Sequence, residues 1–238
     1  MQIFRIFCFV LLQMTSFHFA DSQSNTSIKD AYNVISNSIE AMGGKEYLES
    51  IHTLYSDVKT EMGERQVHWI VKEMKPNKGS FQITYNKKIV YQNWFDGQNG
   101  YEIVGGQKRE ANAEEFKDKL YKRNIFNELD YIDSSLWTLE LMGAASVNGE
   151  QCYKIRATSV DGSVRTLYYS KATFWLLKEE KVVNSEKDTF STVLFSGYKK
   201  FGKLTYYTEM KLGSNGEYQT ATIEKLLVNA GVSVNDFK

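Results

Sequence analysis

The chain has 238 residues, enough for one sizeable domain whose core needs no covalent staples. Lys and Arg number 29 and Asp and Glu also 29, with a pI of about 6.8; a partner gripped through its phosphates calls for a basic surplus, so nucleic acid is excluded. Aromatic residues make up 14% and there is one proline, which favours strands over disorder, while two cysteines and three histidines leave little material for metal or thiol chemistry.

Met1–Ala20 carries one early charge, Arg5, then an apolar run from Ile6 to Leu12 and a polar break at Gln13, Thr15 and Ser16. The run is too short to span a membrane, and the order of features predicts a secretory signal of residues 1–22, cleaved after Ala20-Asp21-Ser22. Cys8 lies inside the run, so it is not the lipid-modified first residue of a lipoprotein. Cleavage removes Arg5 with Asp21 and Cys8 with His18, so the mature chain stays neutral and keeps Cys152, His52 and His68. A lone cysteine makes no internal disulfide. No later stretch reaches membrane-spanning length, and residues 23–238 read as one exported domain, periplasmic or secreted.

From Ser27 to Met42 the apolar residues Ile28, Tyr32, Ile35, Ile39 and Met42 recur in steps of three and four, predicting an amphipathic helix closed by Gly43-Gly44. Lys45–Ser50 adds one turn. The period then changes to two. Strands are predicted at Leu54–Met62, Arg65–Met74, Ser80–Tyr85, Lys88–Phe95 and Tyr101–Val104, with turns at Gly63-Glu64, Pro76-Asn77 and Asp96-Gly97. Asn112 followed by Glu115 resembles a helix start, opening a helix through about Arg123 whose apolar side carries only Phe116 and Leu120. Ile125–Trp137 is apolar without a clear period. Further strands are predicted at Gln151–Val160, Val164–Ser170, Phe174–Val183, Thr189–Tyr198, Lys203–Leu212 and Glu217–Asn229. The fold class is mainly β with a few helices: a strongly curved antiparallel sheet or unclosed barrel of about eleven strands.

Gly197–Lys203 has the spacing of a phosphate-binding loop, but Leu204 stands where a magnesium-holding hydroxyl belongs and a strand follows, so a hairpin end is expected. His52 and His68 lack zinc-hydrolase spacing, Cys152 has no neighbouring base, and Glu114-Glu115 and Glu179-Glu180 point apart. There is no G-x-S-x-G elbow. The chain reads as a non-enzyme without metal or cofactor. What remains is a set of large strand residues: Trp69, Phe81, Tyr91, Trp94, Phe95, Trp137, Tyr168 and Trp175. A curved sheet either fills its concavity with such groups or keeps a cavity for an apolar ligand.

Three short segments, in the same order as in a known family, add to this reading. Trp69-Ile70-Val71-Lys72-Glu73-Met74-Lys75-Pro76-Asn77 resembles a strand that ends in Arg-Pro-Asn. Asp96-Gly97 with Tyr101 resembles the hairpin that follows it, and Gly231–Phe237 resembles the closing segment. Together they resemble the LolA-like superfamily of periplasmic outer-membrane lipoprotein carriers. The resemblance implies an unclosed barrel capped by helices around an apolar cavity for acyl chains of lipoproteins or lipids, and donor and acceptor proteins at the inner and outer membranes of a Gram-negative cell. The expected cavity residues are Trp69, Phe81, Tyr91, Trp94, Phe95 and Trp137, with Phe116 and Leu120 on a lid. Lys75 stands where the family has a functional Arg, whose planar fork Lys does not reproduce. The alternative is a module that senses or chaperones envelope proteins on the same fold.

Overall fold

In the computed structural model, which describes residues 19–184, 189–214 and 216–238, burial alternates along the first strand, where Leu54, Ser56, Val58 and Thr60 are buried. The expected signal segment lies outside these residues up to position 18. The first helix begins at Phe19, so the expected cleavage point falls near its start.

That strand, β1 (Thr53–Met62), is followed by β2 (Arg65–Met74), β3 (Lys78–Tyr85), β4 (Lys88–Phe95), β5 (Gly100–Val104) and β6 (Gln107–Glu110). After a helical interlude come β7 (Trp137–Val147), β8 (Glu150–Ser159), β9 (Val164–Ser170), β10 (Leu176–Asn184) and β11 (Thr189–Ser196). A small hairpin, β12 (Lys199–Phe201) and β13 (Leu204–Tyr206), precedes β14 (Glu209–Ser214) and β15 (Glu217–Val228). Thirteen strands form one antiparallel sheet in the order β6-β5-β4-β3-β2-β1-β15-β14-β11-β10-β9-β8-β7; it does not close, and its edges are β6 and β7. The β6 edge reads Gln-Lys-Arg-Glu, all exposed, a composition that discourages pairing with another chain.

Register carries the β1 pattern across the sheet. Leu54, Glu73, Gly79, Phe95 and Gly100 are successive partners on one face, and Val58, Trp69, Ile83 and Tyr91 form a second row. This inner face is covered by α1 (Phe19–Met42), α2 (Lys45–Glu49), α4 (Asn127–Tyr131) and the β12–β13 hairpin. Ala31, Ile35 and Ile39 of α1 share one core with Leu54 and Val58 from one wall and Leu139, Ile155 and Leu167 from the other. Of the stripe that its spacing predicts, Ile35, Ile39 and Met42 are buried and Tyr32 partly so, while the Ile28 side chain lies outside the described ones. The helix stops where the Gly43 amide donates to Glu40 and the Gly44 amide to Ile39, with positive φ at both glycines.

The outer face is polar with local cover. Lys72 pairs with Asp236 of the C-terminal turn Val234–Phe237, which lies against β3, and Phe237 is buried. Cys152, Val147 and Tyr168 make a second small cluster, so Cys152 is a buried packing residue whose thiol burial pushes up.

Several expected elements differ. The sheet has thirteen strands, not about eleven. The predicted strand Lys203–Leu212 is broken at Tyr207-Thr208, where Thr208 Oγ1 donates to the Gly197 carbonyl (2.7 Å) and turns the chain out of the β12–β13 hairpin into β14. The expected helix Asn112–Arg123 is only a 3-10 turn, Ala113–Phe116, running into the single turn α3 (Lys117–Leu120); Asn112 caps it as predicted, accepting from the Glu114 amide. Strand β7 has no counterpart among the expected strands. Gly143-Ala144-Ala145 and a bulge after Leu141 interrupt the alternation that would reveal it.

Candidate functional site

Residues 113–123 run as a strap across the inner face, tied to both walls. On one wall Glu73 of β2 receives Lys122 (2.9 Å) and Lys119 (3.5 Å). On the other, Asp118 receives Arg165 of β9 (3.0 Å) and Lys181 of β10 (2.5 Å), which are direct partners in the sheet, and Arg165 also reaches Glu179 (2.7 Å). Between these anchors Phe116 is buried and stacks on Phe95, with ring centroids 5.6 Å apart. The sheet makes room for it by omitting a side chain: a Cβ on Gly100 would lie 2.2 Å from the Phe116 ring, and one on Gly79 would meet Lys119. Opposite charges on the inner face thus do what a helix with so narrow an apolar side cannot do alone.

The electrostatics follow from burial and pairing. Burial opposes ionisation of Glu73, but Lys122 and Lys119 outweigh it and hold its carboxyl below the usual range. Lys119 is pushed down by burial against the pull of Glu73. Burial is the chief influence on Glu128, at 8% exposure, and raises it; among the described residues its side-chain hydrogen-bond partner is the Tyr169 hydroxyl at 3.4 Å.

Beneath the strap lies a cavity of about 210 Å³. Met42, Ile125, Phe126, Leu176, Phe195 and Trp175 form its apolar lining; Ser38, Glu73, Lys122, Glu128, Glu179, Tyr206 and Tyr207 its polar one. Tyr206 and Tyr207 stack at 4.1 Å with hydroxyls 2.9 Å apart. Trp175 stacks on Tyr198, whose hydroxyl donates to the Leu176 carbonyl (2.5 Å).

None of the eight expected cavity and lid residues lines this cavity. Trp69, Phe81 and Tyr91 are brought together instead as a half-buried aromatic row on the inner face, with ring centroids 6.0 and 6.3 Å apart. Trp69 and Glu73 share the same face of β2. Phe95 is buried under Phe116. Trp137 is core, edge-on to Tyr131 at 4.9 Å. Trp94 lies on the other face: it is adjacent to Phe95, pairs with Ser80, and stacks on Tyr101 at 5.6 Å with Lys108 over both rings. It is corrected from a cavity residue to an outer-face packing residue. Leu120 is 56% exposed and adds nothing to the seam. Lys75 donates to the Glu49 carbonyl (2.7 Å) at the end of α2 and does not touch the strap; the β2 residue that does is Glu73.

The sequence reading missed the strap anchors. Their signal was a charge on an apolar strand face: Glu73 continues the inward series Val67, Trp69, Val71, and Arg165 precedes Leu167 and Tyr169 on theirs. A charge in such a position requires a partner.

No protein-family model matches the sequence, and no curated protein matches it. Solved structures do match the fold. A putative outer membrane lipoprotein-sorting protein domain from Vibrio parahaemolyticus superposes with a TM-score of 0.62 at 11% identity, covering 88% of this chain and 97% of that one. A LolA superfamily protein from Nitrosomonas europaea gives 0.60 at 11% identity, covering 87% and 97%. A DUF1329 family protein from Desulfovibrio piger gives 0.59 at 16%, covering 89% and 97%. The chain has a LolA-like fold. Among the described residues no helix is long and apolar enough to cross a membrane.

Proposed function

We propose that the protein is a non-enzymatic periplasmic carrier that shelters acyl chains of lipids or lipoproteins on its inner face, as a single exported domain of residues 23–238. One observation carries the reading: the half-buried row Trp69, Phe81, Tyr91 lies on the same sheet face as a strap held by one aromatic contact and ion pairs. A solvated polypeptide strap opens at far less cost than the sheet unfolds. The cavity of about 210 Å³ is smaller than the roughly 300–1,000 Å³ of pockets that enclose a ligand, so a whole chain requires the strap to lift. Each methylene sheltered contributes about 0.8 kcal/mol, so a partly covered chain suffices for useful affinity. The LolA-like fold supports the same reading. Donor and acceptor partners at the two membranes are the corresponding expectation.

Native mass spectrometry of the protein purified from its own envelope tests this. A co-purifying mass of an acylated molecule, lost on delipidation, is the expected result. A bound peptide without lipid would instead favour the envelope-protein sensor or chaperone, and a bare protein that also refuses added lipid would remove the carrier reading.

A further inference from the structure

The cavity beneath the strap is walled by aromatic rings in continuous contact. Trp175 stacks on Tyr198 at 4.6 Å, Tyr198 meets Tyr207 edge-on at 6.2 Å, and Tyr207 packs on Phe195 at 4.6 Å and on Tyr206 at 4.1 Å. Phe126 extends the wall against Tyr206. Among the described residues no ammonium or guanidinium group lies over any of these rings, although Lys108 covers Trp94 and Arg165 covers Trp137 elsewhere.

Three carboxyl groups line the same space against one ammonium group. Glu73 holds that ammonium, Lys122, at 2.9 Å, and Glu179 is bonded at 2.7 Å by Arg165, which stands outside the lining. Lys119 and Lys181 also stand outside it, the first over Gly79 and paired with Glu73, the second paired with Asp118. Glu128 is the carboxyl left over. It is 8% exposed, it has no cation within ion-pair distance among the described residues, and the Tyr169 hydroxyl reaches it only at 3.4 Å. The Ser38 hydroxyl, 1% exposed, lines the cavity without a hydrogen-bond partner. A buried carboxyl without a counter-cation calls for one, and buried aromatic faces attract the diffuse charge of an organic cation.

We infer that this cavity seats an alkylated organic ammonium group, with Glu128 as its counter-charge and the wall from Trp175 through Tyr198 and Tyr207 to Phe195 around its alkyl substituents. The inference goes beyond the acyl-chain reading and does not require it. A bare ammonium carries three N–H donors to satisfy, whereas an alkylated one is held by ring faces, which this lining supplies. At about 210 Å³ the space falls short of the roughly 300–1,000 Å³ that encloses a drug-sized ligand, and suits a head group. Lys122 does not occupy the place, because Glu73 holds it.

Isothermal titration of the full mature chain with choline and with its uncharged isostere, in which carbon replaces nitrogen, tests the site. Choline should bind about 10- to 100-fold more tightly than the isostere. In Glu128→Gln, which keeps the shape and removes the charge, the ratio should fall to about threefold or less. Phe195→Leu, which keeps apolar volume and removes a ring face, should also narrow the ratio and serves if the first variant folds poorly. Dodecyltrimethylammonium, below its micelle concentration, identifies the source of the group: tighter binding than choline supports the head of an amphiphile, and equal binding supports a free small ammonium in the same site. Absence of choline binding, equal binding of choline and the isostere, or a ratio unchanged in both variants would overturn the inference. None of these results touches the carrier reading, since choline and its isostere have no acyl chain.

Discussion

Gly100→Ala places one methyl group against the strap. The added Cβ would sit 2.2 Å from one Phe116 ring carbon and 2.5 Å from another, against an ordinary carbon–carbon contact of about 3.5–4.0 Å. The Phe116 ring must withdraw by more than about 1 Å, and Phe95 beneath it is buried and cannot follow. Such overpacking costs about 1–3 kcal/mol. The weakest participant yields, so the cost should fall on strap docking. Opening of residues 113–123 should become about 5- to 150-fold more frequent, at about 1.4 kcal/mol per tenfold. Amide exchange in that segment should accelerate by this factor through an opening that leaves β1 and β15 protected, and global stability should fall by no more than the same roughly 1–3 kcal/mol, because the docked state is raised against the open and unfolded states alike. Gly79→Ala is the control: its Cβ would meet the flexible end of Lys119, which can move aside, so the effect should be small. If the amides of 113–123 exchange in Gly100→Ala no faster than those of β1 and β15, the strap opens only with the core and the reasoning fails.

Other perturbations separate the same parts. Glu73 is held below the usual glutamate range, so its contribution is present at neutral pH and is lost as pH falls through that lowered value; strap exchange should rise in acid in the wild type, and Glu73→Gln should abolish the dependence. Glu128 has the opposite sign: its raised pKa makes ionisation costly in the fold. Glu128→Gln should therefore raise Tm at neutral pH, with the gain vanishing below the ordinary glutamate pKa. Phe116→Ala should speed strap exchange, whereas Leu120→Ala, at a position 56% exposed, should change stability by less than about 0.5 kcal/mol in denaturant titration. Trp94→Ala should cost about 3–5 kcal/mol of stability without altering the affinity of the folded protein for an acyl probe, because its ring is on the outer face.

The elements written as clean alternation were legible. β2 and β4 begin and end where period and turn residues predict, and α1 buries Ile35, Ile39 and Met42 of the stripe its spacing draws. Alternation reveals which residues share a face but not which face is inward. Trp94 and Phe95 are equally apolar neighbours, and only the pairing with Ser80 and Gly79 assigns them to opposite sides. Residues 113–123 were misread because a 3-10 turn and one α-turn share the helix-start signal of Asn112, while what holds them is long-range charge. The family position Lys75 drew attention to this strand end, where Lys75 reaches the Glu49 carbonyl and Glu73, two positions earlier, reaches the strap.

The central claim is that an acyl chain lies on the inner face beside Trp69. Titration with a chain-brominated fatty acid, whose bromines quench tryptophan fluorescence only at contact range, tests it in wild type, Trp69→Phe and Trp94→Phe. The account predicts saturable quenching that persists in Trp94→Phe and is largely lost in Trp69→Phe. Quenching that survives in Trp69→Phe but disappears in Trp94→Phe would put the chain on the other face of the sheet and contradict it.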